Sequence, residues 1–290
     1  MGVVEDEKFL DFTMSDSAPL EVLIGEHNDN EKVVGEDAFA PWVGVNCEVH
    51  PSDEIFRFFY HHPSSSNPLR DYFADGWRTL YELMAVLEEV GKPLYECESM
   101  LEFASGYGRL TRHLANFPGA HKVTVSDVMP GSVEFAKSRF GVNGFMSDSD
   151  PKNVRFPQQF ELIFVLSLFS HLPKNTWRAW LEILYQHVQP GGCLLFSTHG
   201  AGFAEKNDVS LDSDGFFFVP TSESSHLQGC DYGTSVTASK FVAAAIASLS
   251  DAELLLHRQD HFWAGQDVWI LQKSGGLSQR VRSWIKRRFQ

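Results

Sequence analysis

The sequence predicts an α/β protein: a mostly parallel sheet with helices on both faces, one antiparallel strand near an edge, and an N-terminal extension. Two patterns carry this. From residue 99 onward, short apolar runs alternate with stretches of helical spacing. That cadence belongs to strand–helix–strand units whose parallel strands are buried on both faces. The last two apolar runs are separated by about eight residues, too few for a crossover helix, so that pair is expected to be antiparallel.

Taken in order, a helix is expected from Asn67-Pro68, a cap followed by proline at the first helical position. Leu69, Tyr72, Phe73, Leu80, Leu83, Met84 and Leu87 keep helical spacing as far as Gly91, a natural stop. Strands are expected over 99–103, 122–126, near 144–146, and over 162–168, 192–197, 254–259 and 268–272. Helices are expected from Arg109 and over 130–140, 175–188 and 239–247.

The 290 residues are 43% apolar, enough for one α/β domain with additions or for two domains. Charge is distributed unevenly, 24 basic against 38 acidic side chains, net -14. Such a balance disfavours nucleic acid, whose binding needs clustered Lys and Arg. No apolar run approaches the ~18 residues of a membrane span. The acidic start lacks a hydrophobic signal core, so a cytoplasmic location is expected. Cys47, Cys97, Cys193 and Cys230 form no C-x-x-C pair and are expected as free thiols; no His/Cys/acid cluster favours a metal. Residues 1–40 hold eleven acidic side chains against Lys8 and Lys32, which marks 1–66 as an acidic arm or cap. The main domain is expected over 67–275, with a Gly- and Ser-rich insertion at 200–236 and a basic amphipathic helix at 276–290.

The chemistry concentrates in Met100-Leu101-Glu102-Phe103-Ala104-Ser105-Gly106-Tyr107-Gly108-Arg109. A strand ends on an acid and enters a glycine turn, and a helix follows. Glycines 106 and 108 allow a sharp bend and close approach to a ligand, and the helix start offers unpaired N–H groups. A dinucleotide site wants G-x-G-x-x-G, but Ala104 occupies the first position in one register and Thr111 the third in the other. Glu102 would repel a diphosphate and suits a ligand bearing an ammonium group. Asp127, nineteen residues after Gly108, closes a second strand where a carboxylate can accept from both ribose hydroxyls.

These residues, with Phe160-Glu161-Leu162-Ile163-Phe164, Gln189-Pro190-Gly191-Gly192 and the ending Gln266–Leu271, make residues 98–273 resemble the class I S-adenosylmethionine-dependent methyltransferases. The resemblance implies a Rossmann-like, seven-stranded sheet and S-adenosylmethionine as cofactor. It would have Glu102 hold the methionine ammonium, Ala104, Gly106 and Gly108 shape the turn, and Asp127 take the ribose. Asp148 would meet the adenine, with Val128 or Met146 as apolar walls, while Leu166 and Ser167 would line the cofactor with backbone. Ala104 for the usual glycine and Glu102 for the commoner Asp are mild departures.

A base is needed only if the acceptor must lose a proton, and His171 and His199 follow the fourth and fifth strands, where an imidazole could serve. The alternatives are that His171 caps the next helix and His199 bonds a neighbouring loop. The 200–236 insertion reads as a lid over a small-molecule acceptor, working with the 53–66 segment; Phe216 to Phe218 read equally as a strand on the sheet. The acceptor, whether hydroxyl, amine or carboxyl, glycan- or lipid-linked, is not fixed by the fold. In the tail, Leu277, Val281, Trp284, Ile285 and Phe289 share a helical face beside five positive charges, the pattern of a membrane-surface helix, a self-packing stripe or an oligomer contact. Two competing readings remain: an oxidoreductase using a nicotinamide dinucleotide, and a non-catalytic binding or scaffold protein.

Overall fold

A computed structural model describes residues 44–275 apart from 64, 66 and 223. Most of the acidic arm and the whole basic tail lie outside the described residues. Helix α1 (Glu54–His61) starts on Asp53, whose carboxylate accepts from the Phe56 N–H at 3.0 Å. Helix α2 (Pro68–Glu89) starts on Asn67, whose side chain accepts from the Arg70 N–H, and stops just before Gly91 at φ 69°.

The central sheet comprises β1 (Met100–Phe103), β2 (Val123–Asp127), β3 (Asn143–Met146), β4 (Phe160–Val165), β5 (Val188–His199), β8 (Ala252–Phe262) and β9 (Gln266–Lys273). Their order is β3-β2-β1-β4-β5-β9-β8, with β9 antiparallel to both neighbours and β8 at the edge. The expected architecture is therefore present, including the antiparallel strand one place in from the edge. Strand order reverses between β1 and β4, so the crevice at their carboxyl ends is the natural ligand position.

Helices α4 (Ser132–Phe140), α5 (Lys174–Gln186) and α7 (Ser239–Ala247) fall where expected. The helix expected from Arg109 is shorter. Only Thr111–Leu114 (α3) is α-helical, and the chain then turns through Ala115–Gly119, where Pro118 cannot donate to a continuing ladder. Strand β4 likewise stops at Val165 rather than 168, because Ser167 takes φ 61°.

The insertion at 200–236 is built rather than formless. It contains α6 (Ala201–Lys206) and an antiparallel ribbon of β6 (Phe216–Val219) and β7 (Thr234–Thr237). The Phe216 run is thus a strand. The Ser235 N–H donates to the Ser170 carbonyl at 2.7 Å, and the Gly233 N–H to that of His171 at 2.9 Å, which fastens the ribbon beside the end of β4.

Alternate residues of each strand feed two apolar layers. Leu101 and Phe103 join Ile163, Leu194, Trp177 and Phe241 on one face; Met100 joins Phe164, Leu195, Leu110 and Val133 on the other. Period two therefore puts Glu102 on the face of Met100, where α3 begins.

Candidate active site

The turn after β1 holds three residues in the left-handed region within five positions: Ala104 (φ 61°), Gly106 (56°) and Gly108 (87°). A Cβ at Gly108 would run into the Phe140 ring, so glycine there also lets α4 close on the loop. Ala104 adopts a conformation that costs an L side chain roughly 1–2 kcal/mol. Its N–H is held by the Ser126 carbonyl at 2.8 Å.

Glu102 is 5% exposed and accepts from the Thr111 hydroxyl at 2.6 Å. Burial pushes its carboxyl up to about 8 against the pull of that hydrogen bond, and the charge of Asp127 adds to the rise. Asp127 accepts from the Gly106 N–H at 2.7 Å and the Met129 N–H at 2.8 Å. Burial raises its carboxyl too, opposed by these backbone donors. The two acids are thus close enough to feel one another and are bound to the two flanks of one glycine turn. The hydroxyls of Ser105 and Ser126, both buried at this turn, have no protein partner. Such orphaned polar groups fit a polar ligand that satisfies them.

The other expected residues divide. Val128 follows Asp127 and is half-buried. Asp148 lies two residues past β3, but its carboxylate accepts from the Asp150 N–H at 2.8 Å and so caps its own turn. Leu166 packs on the inner layer. Ser167 is locked in a closed cycle that the sequence did not reveal. Its N–H donates to the Ser197 hydroxyl (2.8 Å), Ser197 donates to the Gln266 side-chain carbonyl (2.6 Å), and the Gln266 amide donates to the Ser167 hydroxyl (2.7 Å). This cycle ties the ends of β4, β5 and β9 together.

His171 and His199 are brought together, their rings 6.2 Å apart, but each is engaged in packing. The Nδ1 of His171 meets the Gly233 carbonyl at 2.7 Å, and its ring stacks on Tyr232 at 4.5 Å. His199 stacks on Phe203 at 3.8 Å. Burial, with the nearby His171, pushes His199 down to about 3, so its imidazole is neutral through the physiological range.

The chain entering α1 and the insertion, expected to work together as a lid, form a roof beside the glycine turn. His50 stacks on Tyr107 at 4.4 Å, and the Tyr107 hydroxyl donates to the Pro130 carbonyl. Glu54 of α1 accepts from the Ser225 N–H (2.8 Å) and hydroxyl (2.6 Å), while Ser224 reaches the Met129 sulfur at 3.9 Å. The 53–66 segment and the insertion therefore do meet, through partners 171 positions apart. Two surface cavities of about 560 and 450 Å³ adjoin Lys174 instead, away from the glycine turn. Among the described residues no His/Cys/acid group is arranged to hold a metal.

Residues 100–192 match the model of a methyltransferase domain. A malonyl-[acyl-carrier protein] O-methyltransferase of Priestia megaterium is 31% identical over 106 residues, 36% of this chain and 38% of that protein. The match thus spans about two fifths of that relative's length. An S-adenosylmethionine-dependent methyltransferase structure from Clostridium acetobutylicum aligns over 69% of this chain and 92% of that one, at 14% identity and a TM-score of 0.48. The N-methyltransferase NodS of Bradyrhizobium japonicum, in complex with S-adenosyl-L-homocysteine, aligns over 76% of this chain and 99% of its own, also at 14% and 0.48. The family match runs from β1 into β5 with the acid–glycine–acid turn at its head, so over residues 100–192 the chain is similar to a methyltransferase domain.

Proposed function

We propose that this protein transfers a methyl group from S-adenosylmethionine to a small-molecule hydroxyl, amine or carboxyl acceptor. One observation carries the reading: Glu102 and Asp127 flank a single glycine turn beside the unpartnered hydroxyls of Ser105 and Ser126. Glu102 would face the methionine ammonium, the turn would admit the amino-acid portion against its backbone, and Asp127 would accept from the ribose hydroxyls. A diphosphate, unlike an ammonium, gains nothing from Glu102, which weighs against a nicotinamide dinucleotide. When bound, the cofactor supplies a sulfonium methyl open to in-line displacement. The chain's own part is to orient the reactants and exclude water, and the roof of α1 with Ser224 and Ser225 does the latter. His171 holds the ribbon in place, and His199 closes the acceptor side. Calorimetric titration separates the readings: micromolar binding of S-adenosylmethionine with none of NADH is expected, and the reverse result ends the proposal.

A further inference from the structure

The outer face of α2 carries an apolar stripe that is open to solvent among the described residues. Ala74, Trp77 and Tyr81 follow one another at three- and four-residue steps, all exposed, and half-buried Met84 and Ala85 continue the line. Trp77 is 59% and Tyr81 61% exposed, and their rings stack with centroids 6.0 Å apart. The opposite face of the helix, with Leu80, Leu83, Val86 and Leu87, is already buried against the sheet. A second apolar stripe on the solvent side therefore calls for a partner of its own. The stripe ends on acids. Glu88 and Glu89 close the last turn of α2, which holds no basic side chain, so they sit at the negative end of the helix dipole. Glu89 is bridged to Arg258 of β8, whereas Glu88 is exposed.

The chain leaves the sheet beside this end of α2. Lys92, three residues past the helix, and Gln272, one before the end of β9, donate to the same Gly191 carbonyl at 3.1 and 3.0 Å. From there residues 273–276 can reach roughly 13 Å. Residues 277–290, as a helix, would be about 21 Å long, which is also the length of α2 from Ala74 to Glu88.

We infer that residues 277–290 dock as a helix antiparallel to α2, laying Leu277, Val281, Trp284, Ile285 and Phe289 over Trp77 and Tyr81. If the tail starts level with Glu89, equal rise sets Val281 beside Met84, Trp284 beside Tyr81 and Phe289 near Trp77. Arg280 then falls within one turn of Glu88, where its charge meets that acid and the carbonyl end of α2. A tethered segment acts at high effective concentration, so a modest interface suffices. Of the three roles open to the tail from its sequence, the matching stripe and the nearby exit favour packing on its own domain.

The test is hydrogen exchange of the full chain in lipid-free buffer, read by mass spectrometry. Tail amides are expected to exchange roughly tenfold more slowly than those of a free 276–290 peptide, which is too short to hold a helix alone. Trp77→Ser with Tyr81→Ser, both at exposed positions, should bring them to the peptide's rate. Glu88→Arg should speed tail exchange, and Arg280→Glu added to it should restore most of the protection. Tail amides that exchange like the peptide overturn the inference. So does protection that survives the loss of both rings, or that the charge exchange fails to restore. Protection that grows with protein concentration assigns the stripe to a second copy, and protection that needs phosphatidylglycerol vesicles assigns the tail to a membrane; either result overturns it too.

Discussion

At the scale of the residue, Asp127 and Glu102 differ in what they should do when changed. Asp127→Asn keeps the shape but weakens charge-assisted hydrogen bonds to the Gly106 and Met129 N–H groups and to a ribose. About 1.5–3 kcal/mol for such a bond corresponds to roughly a 10- to 150-fold loss of cofactor affinity, read by calorimetry. Glu102 is raised to about 8 and is mostly protonated in the free protein at neutral pH. A cationic ligand favours its ionised form, so binding should release a proton and tighten as pH rises through 8. The sign for stability is opposite. The folded state holds a proton that the unfolded chain gives up near 4.5, so the free protein should lose stability as pH climbs from about 4.5 towards 8. Glu102→Gln should flatten this dependence in thermal melts across that range. Ala104→Gly relieves a left-handed alanine and should stabilise by about 1 kcal/mol, seen as a higher urea midpoint.

At the scale of the element, the roof depends on one buried cation. Arg112 is 1% exposed; its guanidinium donates to the carbonyls of Asn46, Glu48 and Gly108 and lies over the rings of Tyr72, Phe73 and Phe140. It therefore joins the segment entering α1 to both α2 and the glycine turn. Arg112→Leu leaves two carbonyls of that segment without their donor and should cost about 3 kcal/mol. Limited proteolysis should then cut first between 44 and 66, before the sheet is touched. The helical spacing around Arg112 was legible, but its role was not, because the carbonyls it serves lie 64 and 66 residues away.

At the scale of the whole molecule, a ligand that binds only the folded state stabilises it by mass action. S-adenosylmethionine at 100 times its Kd should add about 2.7 kcal/mol and raise the melting temperature by several degrees, while NADH should not. The sequence alone determined the layered α/β plan, the strand cadence, the antiparallel closing strand and the acid–glycine–acid turn. Each of these is encoded locally, in side-chain period, in connection length and in the backbone freedom of glycine. Tertiary structure alone decided the Ser167–Ser197–Gln266 cycle, the Glu54–Ser225 clasp, the short α3 and the stacking of His171 on Tyr232 and of His199 on Phe203. Those depend on which distant groups meet in a water-poor interior, where one unpaired nitrogen or one neighbouring carboxylate changes what a histidine can do, and no local pattern records such meetings.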